Sequence, residues 1–319
     1  MILLIDADST IPNLALMKLA EFYEDAELIR LNLPYYPNRK KKIHEIDTKE
    51  YDKVFCSVVF GGNKEFVKGE NIIFGGTGFD LKTKLPDHIE ALPPNYNIYP
   101  DNDTSYGFIS RGCIRNCKFC KVPEKEGNIH QVRNVDDIVK HTKVKFLDNN
   151  FLALPNHNEI LAELAEKNIK CCFNQGLDIR LLTKENSKNL SNLNYLGGYV
   201  FALDNVKTIP LVNKKLSLLG WRKPWQLKFF VYVHPDMPIK DTISRIEFLK
   251  ENECLPYIMR DISCYYSKLH KFYVDIAAWC NQPGIFKKID FTEFLERRHL
   301  TKNREERINF SKNIYYNRG

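Results

Sequence analysis

From about residue 104 onward, short apolar runs alternate with helical stretches, and this pattern limits the fold more than any other feature of the chain. Six runs have the length and composition of buried strands: 105–110, 144–147, 170–173, 199–203, 227–233 and 257–259. Helical stretches such as 159–167 and 242–250 separate them. Strands joined through helices form parallel sheets with right-handed crossovers. The pattern predicts an α/β protein whose strands curve into a barrel or half-barrel.

Polar residues collect directly after the predicted strands. The second strand is followed by Asp148, Asn149 and Asn150, and the third by a segment that contains Gln175, Asp178 and Arg180. In parallel barrels the carboxyl ends of the strands carry the binding and catalytic groups. Helix capping is the alternative role for the Asp and Asn residues, and an ion pair is the alternative for Asp178 with Arg180. We expect these two clusters to contact a ligand.

The first hundred residues have the pattern of a smaller α/β unit. Strands are predicted at 2–5, 27–31, 53–59 and 71–74, with a helical spacing of apolar residues over 14–23. The last of these strands runs into Gly75-Gly76-Thr77-Gly78, which lacks the lysine of a phosphate-binding P-loop and the spacing of a dinucleotide-binding loop. A tight turn is therefore the favoured interpretation, with a phosphate cradle as the alternative.

Four prolines between residues 85 and 103 predict an extended linker without regular structure. The sequence then divides into four predicted parts. These are a Rossmann-like domain at 1–84, the linker at 85–103, a partial barrel at 104–265, and a helical extension with a basic tail at 266–319.

Three cysteines, Cys113, Cys117 and Cys120, stand in the spacing C-x3-C-x2-C. Three thiolates on one short loop can hold three irons of a [4Fe–4S] cluster and leave the fourth iron open to a chelating molecule. Structural zinc is the alternative, but it needs a fourth ligand, for which His130 is the nearest candidate in sequence. Nine cysteines, an odd number, argue against a disulfide framework.

The remaining cysteines do not form a recognisable metal motif. Cys171 and Cys172 are neighbours in a predicted strand and point to opposite faces, so they do not readily bind one cluster. Cys254, Cys264 and Cys280 are widely spaced. We expect them to be buried, inert thiols.

Composition is that of an ordinary globular protein, with 44% hydrophobic and 27% charged residues. No apolar run reaches the length of a membrane span, and free cysteines without a targeting segment predict a reducing cytoplasm. The net charge is +7, and the stretches 39–42 and 297–318 are locally basic. A polyanionic partner is therefore one alternative, which would make the chain a non-enzymatic metal-binding protein that contacts nucleic acid.

The segment 111–120, Arg-Gly-Cys-Ile-Arg-Asn-Cys-Lys-Phe-Cys, resembles the cluster loop of radical S-adenosylmethionine (SAM) enzymes, and Phe119 matches the aromatic residue before the third cysteine. The resemblance implies a partial (β/α)6 barrel in which SAM binds the open iron and is cleaved to a 5′-deoxyadenosyl radical. It also implies an electron donor of the reductase, ferredoxin or flavodoxin type. It identifies no catalytic residue, and the substrate class (small molecule, peptide or nucleic acid) stays open.

SAM needs contacts beyond the iron; the resemblance implies the role of Phe119, and the polar residues after the second and third strands are candidates for the other contacts. Phe119 is expected against the adenine. The ribose or carboxylate is expected at Gln175, Asp178 and Arg180, and the amino group at the cluster 148–150.

The N-terminal unit is similar in position to the cobalamin-binding domain that many radical SAM enzymes carry. Such domains often have a D-x-H-x-x-G loop whose histidine binds cobalt, whereas this chain has Asp6-Ala7-Asp8-Ser9-Thr10 after its first strand. We therefore expect no bound cobalamin. A cobalamin-dependent radical SAM methyltransferase is the alternative.

Overall fold

The computed structural model describes residues 1–35, 39–298 and 303–317 and has a mixed α/β fold with parallel sheets. The chain divides into two compact units, a first unit of residues 1–147 and a second unit of residues 148–319. Over the described ranges no closed barrel is found. The four parts expected at 1–84, 85–103, 104–265 and 266–319 remain predictions.

The first unit contains ten strands and four short helices among its described residues. The strands are β1 Ile2–Asp6, β2 Ala26–Arg30, β3 His44–Glu45, β4 Lys53–Ser57, β5 Val67–Lys68, β6 Ile72–Gly75, β7 Thr104–Gly107, β8 Ser110–Arg111, β9 His130–Gln131 and β10 Lys143–Phe146. The helices are α1 Leu14–Phe22, α2 Asp87–Glu90, α3 Val122–Glu126 and α4 Val135–Ile138.

A parallel four-stranded sheet in the order β2-β1-β4-β6 forms the centre of this unit. All four predicted N-terminal strands belong to it, which confirms the α/β reading of this region. Side chains of a strand alternate between the two faces of a sheet. Accordingly Leu3 and Ile5 enter one apolar cluster, while Ile2 and Leu4 enter a second one on the opposite face.

Helix α1 covers part of that second face. It begins at Asn13, whose side-chain oxygen accepts hydrogen bonds from the backbone N–H groups of Ala15 and Leu16. Leu16 and Leu19 are buried with Ile2 of the sheet. The predicted helical spacing over 14–23 is therefore confirmed, with one face of the helix in the core.

The glycine-rich segment after β6 is a tight turn packed on neighbouring backbone. Gly76 has a φ of +94°, and a Cβ there would lie 2.4 Å from the carbonyl oxygen of Val58. The N–H of Gly78 donates to that same oxygen at 2.8 Å. Only glycine fits such an approach, so the expected turn is confirmed.

The prediction that the proline-rich segment 85–103 lacks regular structure is wrong. It contains the single-turn helix α2 and a 3-10 turn at Tyr96–Ile98. Pro86 directly precedes α2, where its fixed φ suits a helix start, and the side chain of Asn95 accepts from the N–H of Asn97 at 3.0 Å. Prolines at helix starts are compatible with short helices, which the count of prolines alone did not reveal.

The predicted strand 105–110 is divided in two. Strand β7 pairs in parallel with β10, from Thr104 opposite Lys143 to Gly107 opposite Phe146. Strand β8 instead pairs antiparallel with β9, with Arg111 opposite His130. The chain changes partner at residues 108 and 109, where the backbone oxygen of Ile109 accepts from the N–H of Val132.

The second unit contains four strands and eight helices among its described residues. The strands are β11 Lys170–Phe173, β12 Tyr199–Ala202, β13 Leu227–Val233 and β14 Leu255–Arg260. The helices are α5 His157–Glu166, α6 Lys184–Ser191, α7 Ile209–Leu216, α8 Ile239–Glu251, α9 His270–Cys280, α10 Pro283–Phe286, α11 Phe291–Arg298 and α12 Arg304–Asn317.

Strands β12, β13 and β14 form a parallel sheet in that order. Helix α7 lies between β12 and β13 in the chain, and α8 between β13 and β14, so the predicted alternation of strands and helices is confirmed here. The described part of the chain after residue 265 is largely helical. No helix within the described ranges has both the length and the apolar character needed to cross a membrane.

Candidate functional site

The three spaced cysteines lie in one loop of the first unit, residues 112–127, which we call the cysteine loop. Strands β8 and β9 pair immediately outside it, and the N–H of Cys113 donates to the carbonyl oxygen of Gly127 at 3.1 Å. These contacts form the neck of the loop, where its two ends meet. The loop is thus closed by backbone pairing that involves no cysteine side chain.

Gly112 is the tightest point of the neck. Its φ is +84°, and a Cβ at this position would lie 2.2 Å from the carbonyl oxygen of Asn128. Real Cβ atoms do not approach a backbone oxygen so closely, and an L-residue resists this φ. The glycine before the first cysteine is therefore required by the geometry of the neck.

Arg111 ties the neck to a neighbouring helix by ion pairs. One of its terminal nitrogens lies 3.2 Å from Oε2 of Glu126, at the far end of the cysteine loop. The other lies 3.0 Å from Oε1 of Glu90 in α2, which also pairs with Lys18 of α1 at 2.7 Å. Such a network holds both ends of the loop against α1 and α2.

Inside the loop, all three thiols are half-buried. The Sγ of Cys113 accepts a hydrogen bond from the N–H of Arg115 at 3.2 Å, and the N–H of Cys120 donates to the oxygen of Cys117 at 2.9 Å. The first of these contacts reaches a sulfur atom, and the second closes a backbone turn between Cys117 and Cys120.

Most of the other cysteines are in a different environment. Burial raises the pKa of four thiols to about 12 and that of Cys280 well above its ordinary value; the four are Cys56, Cys171, Cys254 and Cys264. A buried thiol with a raised pKa stays protonated and does not bind metal readily. Cys254, Cys264 and Cys280 are buried as expected, and Cys172 is half-buried in β11.

The chemistry of the loop fits an iron–sulfur cluster, because it offers three accessible thiols within eight residues. Over the described ranges, no three His, Cys, Asp or Glu side chains are already gathered as a metal site. The loop thiols must therefore turn toward one another to share a metal centre. His130, the candidate fourth zinc ligand, is exposed in β9, and its Nδ1 lies 2.9 Å from the carbonyl oxygen of Asn128.

Two large apolar side chains of the cysteine loop are exposed. Phe119 is 42% exposed and Ile114 is 50% exposed. Apolar groups beside a metal loop can pack against a flat ligand and exclude water from it. Phe119 is thus accessible, as a contact with adenine requires.

The six other residues expected to contact SAM all lie in the second unit. Asp148 and Asn150 are buried, Asn149 is half-buried, and Gln175 is exposed. Asn150 precedes the 3-10 turn Phe151–Ala153 and accepts through its backbone oxygen. Only Gln175 of these four offers a freely accessible side chain.

Asp178 and Arg180 form an ion pair, which was the alternative reading for these two residues. Oδ1 of Asp178 accepts from Nε of Arg180 at 2.6 Å, and Oδ2 accepts from Nη2 at 2.9 Å. The same carboxylate caps the turn by accepting from the N–H of Arg180. A ligand that uses the Asp178 carboxylate must compete with a bidentate guanidinium.

The second unit also gathers polar side chains that we did not select as site residues. Asp204, His234 and Asp261 follow β12, β13 and β14, at the carboxyl edge of that sheet. The hydroxyl of Tyr232 donates to Oδ2 of Asp261 at 2.7 Å, and its N–H donates to Oδ1 of Asp204 at 2.8 Å. Nε2 of His234 lies 3.8 Å from Oδ1 of Asp261. The signal was present in the sequence, because Asp204 and His234 directly follow apolar runs and Asp261 follows one after a single residue.

The basic C-terminal stretch is largely paired within the second unit. Arg307 makes a bidentate ion pair with the buried Asp275, with Nε 2.8 Å from Oδ2. Lys312 lies 2.8 Å from Glu296, and Arg297 pairs with Glu293. Residues 299–302 and Arg318 of this stretch lie outside the described residues. Part of the positive charge of this stretch is thus paired with carboxylates of the second unit.

Comparison with known proteins adds no assignment. No family model matches the chain, and no curated protein matches it at a significant level.

Proposed function

We propose that the protein is a radical SAM enzyme that uses a [4Fe–4S] cluster held by Cys113, Cys117 and Cys120 to cleave SAM and modify a substrate. The observation that carries the proposal is the cysteine loop. Its three thiols are accessible, while five of the other six cysteines are buried with a raised pKa. When bound, such a cluster supplies the electron that converts SAM to methionine and a 5′-deoxyadenosyl radical.

The finer fold proposed with this function is a partial (β/α)6 barrel preceded by a Rossmann-like domain. Its support is the run of parallel strands separated by helices, and the polar residues that follow β12, β13 and β14. Carboxyl edges of parallel strands are where α/β proteins bind their ligands.

The chain's own residues would bind and shield the cofactors. The accessible ring of Phe119 would pack on the adenine, and Arg115, Lys118 and Lys121 would favour a carboxylate near the loop. Gln175 is proposed to bond the ribose, because it is the polar candidate with an exposed side chain. The carboxylate of Asp178 would bind SAM only while its oxygens also accept hydrogen bonds from Arg180.

We propose that no cobalamin takes part. The carboxyl end of β1, where a cobalt-binding loop would start, is engaged by internal hydrogen bonds. Asp8 accepts from the N–H groups of Val59 and Phe60 at 2.7 and 3.0 Å, and Asp6 accepts from the hydroxyl of Tyr99 at 2.9 Å. We further propose a reducing cytoplasm as the location and a reductase, ferredoxin or flavodoxin as the electron donor.

The test is anaerobic reconstitution of the full chain with iron and sulfide, followed by reduction in the presence of SAM. We expect about four irons per chain and slow formation of 5′-deoxyadenosine, detected by chromatography. Cys117→Ala should lose the cluster. Cys172→Ala is the matched control, because that thiol is also half-buried but lies outside the loop.

Retention of a full cluster by Cys117→Ala would refute the assignment of the ligands. One bound zinc without sulfide would favour the metal-binding alternative. Stoichiometric binding of cobalamin would favour the methyltransferase.

A further inference from the structure

A wide groove lies on one face of the first unit's parallel sheet, apart from the thiols of the cysteine loop. Its cavity measures about 1080 Å³ and is lined by α1, by β4 and β6, and by residues 83–94 and 106–138 in part. This volume is slightly above the range for small-molecule pockets, which is about 300–1,000 Å³. The groove is large enough for one organic ligand.

The floor of the groove is the part of the sheet face next to α1. Phe55 of β4 stands opposite Ile73 of β6, and Ser57 stands opposite Gly75. All four line the cavity, and Ile73 is 51% exposed. An exposed isoleucine beside a phenylalanine offers an apolar surface to a ligand.

Aromatic side chains make the groove suited to a flat ligand. Besides Phe55, the aromatic residues of the lining include Tyr23, Tyr106 and Phe108. Aromatic side chains favour planar partners, which stack on their faces or meet their edges. This composition favours a ring system over a flexible aliphatic chain.

On one wall of the groove, three positively charged side chains surround Glu90. Lys18 lies 2.7 Å from its carboxylate and donates to its backbone oxygen at 2.6 Å, and Arg111 lies 3.0 Å from the same carboxylate. Arg133 donates to the backbone oxygen of Glu90 at 2.9 Å. Two cations thus meet the Glu90 carboxylate and a third meets its backbone oxygen, although Arg111 also pairs with Glu126.

The whole lining has six Lys or Arg residues and four Asp or Glu residues. Burial lowers the pKa of Lys18, and Arg133 and Arg111 lower it further, while Glu90 opposes them. Burial also lowers the pKa of Lys125 on the same wall. An anion placed there would stabilise the charged lysines.

We propose that this groove binds a small molecule with a planar aromatic body and one anionic group, a carboxylate or a phosphate. The ring system lies on Phe55 and Ile73, and the anion lies against Lys18, Lys125 and Arg133. The proposal is independent of the cysteine loop's metal chemistry, because none of these groups is a metal ligand.

The test uses the full chain without added iron and the fluorescent probe 8-anilinonaphthalene-1-sulfonate, which has an aromatic body and one negative charge. Its uncharged relative, N-phenyl-1-naphthylamine, reports the apolar floor alone. We expect one saturable site per chain for the charged probe. The uncharged probe should bind at least about tenfold more weakly, as the loss of a charge-assisted contact implies.

Variants separate the floor from the charged wall. Ile73→Glu should weaken both probes about tenfold or more. Ile43→Glu, at an equally exposed isoleucine outside the lining, should change neither. Lys18→Met should weaken only the charged probe, and so should Lys125→Gln, a variant that keeps the Lys18–Glu90 pair. Lys49→Gln is the control for charge. Circular dichroism checks that each variant is folded.

Competition in the unaltered protein completes the test. 1-Naphthyl phosphate and 1-naphthoate should displace the charged probe, and the tighter of the two identifies the anion that the site prefers. 1-Naphthalenemethanol at the same concentration should not displace it. Equal binding of the probe by Ile73→Glu and Ile43→Glu, or equal displacement by the neutral alcohol, overturns the proposal. Retained iron loading by Ile73→Glu shows that such a failure is separate from the proposed enzyme activity.

Discussion

The neck of the cysteine loop provides the sharpest test of the structure, because two glycines bracket the loop and differ in one respect. Both have positive φ values, +84° at Gly112 and +72° at Gly127. A Cβ at position 112 would lie 2.2 Å from the oxygen of Asn128, whereas a Cβ at position 127 would have no atom within 4 Å. Replacing each glycine by alanine therefore separates backbone strain from steric conflict.

The magnitudes follow from these distances. A left-handed φ costs an alanine roughly 1–2 kcal/mol. Gly127 combines its φ with a ψ of −146°, a conformation that is essentially restricted to glycine, so Gly127→Ala should lose roughly 1–3 kcal/mol of stability. In Gly112→Ala the backbone of Asn128 must also move by about 1 Å. That movement breaks the bond between Cys113 N–H and the oxygen of Gly127 and weakens the pairing of β8 with β9, at about 1 kcal/mol for each hydrogen bond. The total is about 3–4 kcal/mol.

The assay is thermal unfolding of the metal-free protein followed by circular dichroism. A cooperative unit of about 150 residues shifts its Tm by about 2–4 °C per kcal/mol. Gly112→Ala should lower the Tm by about 6–16 °C, and Gly127→Ala by about 2–12 °C. Equal shifts for the two variants would show that Gly112 does not meet the backbone of Asn128, and would refute the geometry of the neck.

Two further predictions test accessibility and electrostatics. Iodoacetamide at neutral pH should alkylate the three loop thiols of the metal-free folded protein well before Cys280, because burial raises the pKa of the Cys280 thiol. Mass spectrometry of proteolytic digests measures the alkylation rate of each cysteine. Similar rates for the loop thiols and Cys280 would contradict the prediction. In the second unit, burial alone would raise the pKa of Asp261, but hydrogen bonds from Ser263 and Tyr232 bring it below its ordinary value. Its stabilising contribution is therefore present above the unfolded-state pKa of about 3.9 and is lost as the pH falls through the lower folded-state pKa. The Tm difference between the unaltered protein and Asp261→Asn should narrow below about pH 4, and a pH-independent difference would contradict this assignment.

Local sequence patterns predicted much of the secondary structure. Strand β13 was predicted with its observed bounds because 227–233 is a run of apolar and strand-forming residues in which Lys228 is the one charged side chain. Strand β11 was also predicted with its observed bounds. In contrast, β7 and β8 were merged, since the change of partner after Gly107 depends on β9 and β10, which lie 20 residues or more further along the chain.

Some features of the candidate site could likewise be predicted from the sequence, and others could not. The cysteine loop could be recognised because its three cysteines are neighbours in sequence. The network of Lys18, Glu90 and Arg111 could not, because its members are up to 93 residues apart and become neighbours only when α1, α2 and β8 pack together. Asp178 could be noticed but not assigned, since the sequence does not reveal that Arg180 occupies both of its oxygens.

The closure of the cysteine loop by its neck affects how the protein responds to oxygen. Backbone pairing, Gly112 and the ion pairs of Arg111 keep the two ends of the loop together, and none of them uses a thiol. Oxygen that destroys a cluster at these cysteines would leave the frame of the loop intact. The protein that has lost its cluster would stay folded and could bind a new one. Repair would then require iron and sulfide but no newly synthesised chain.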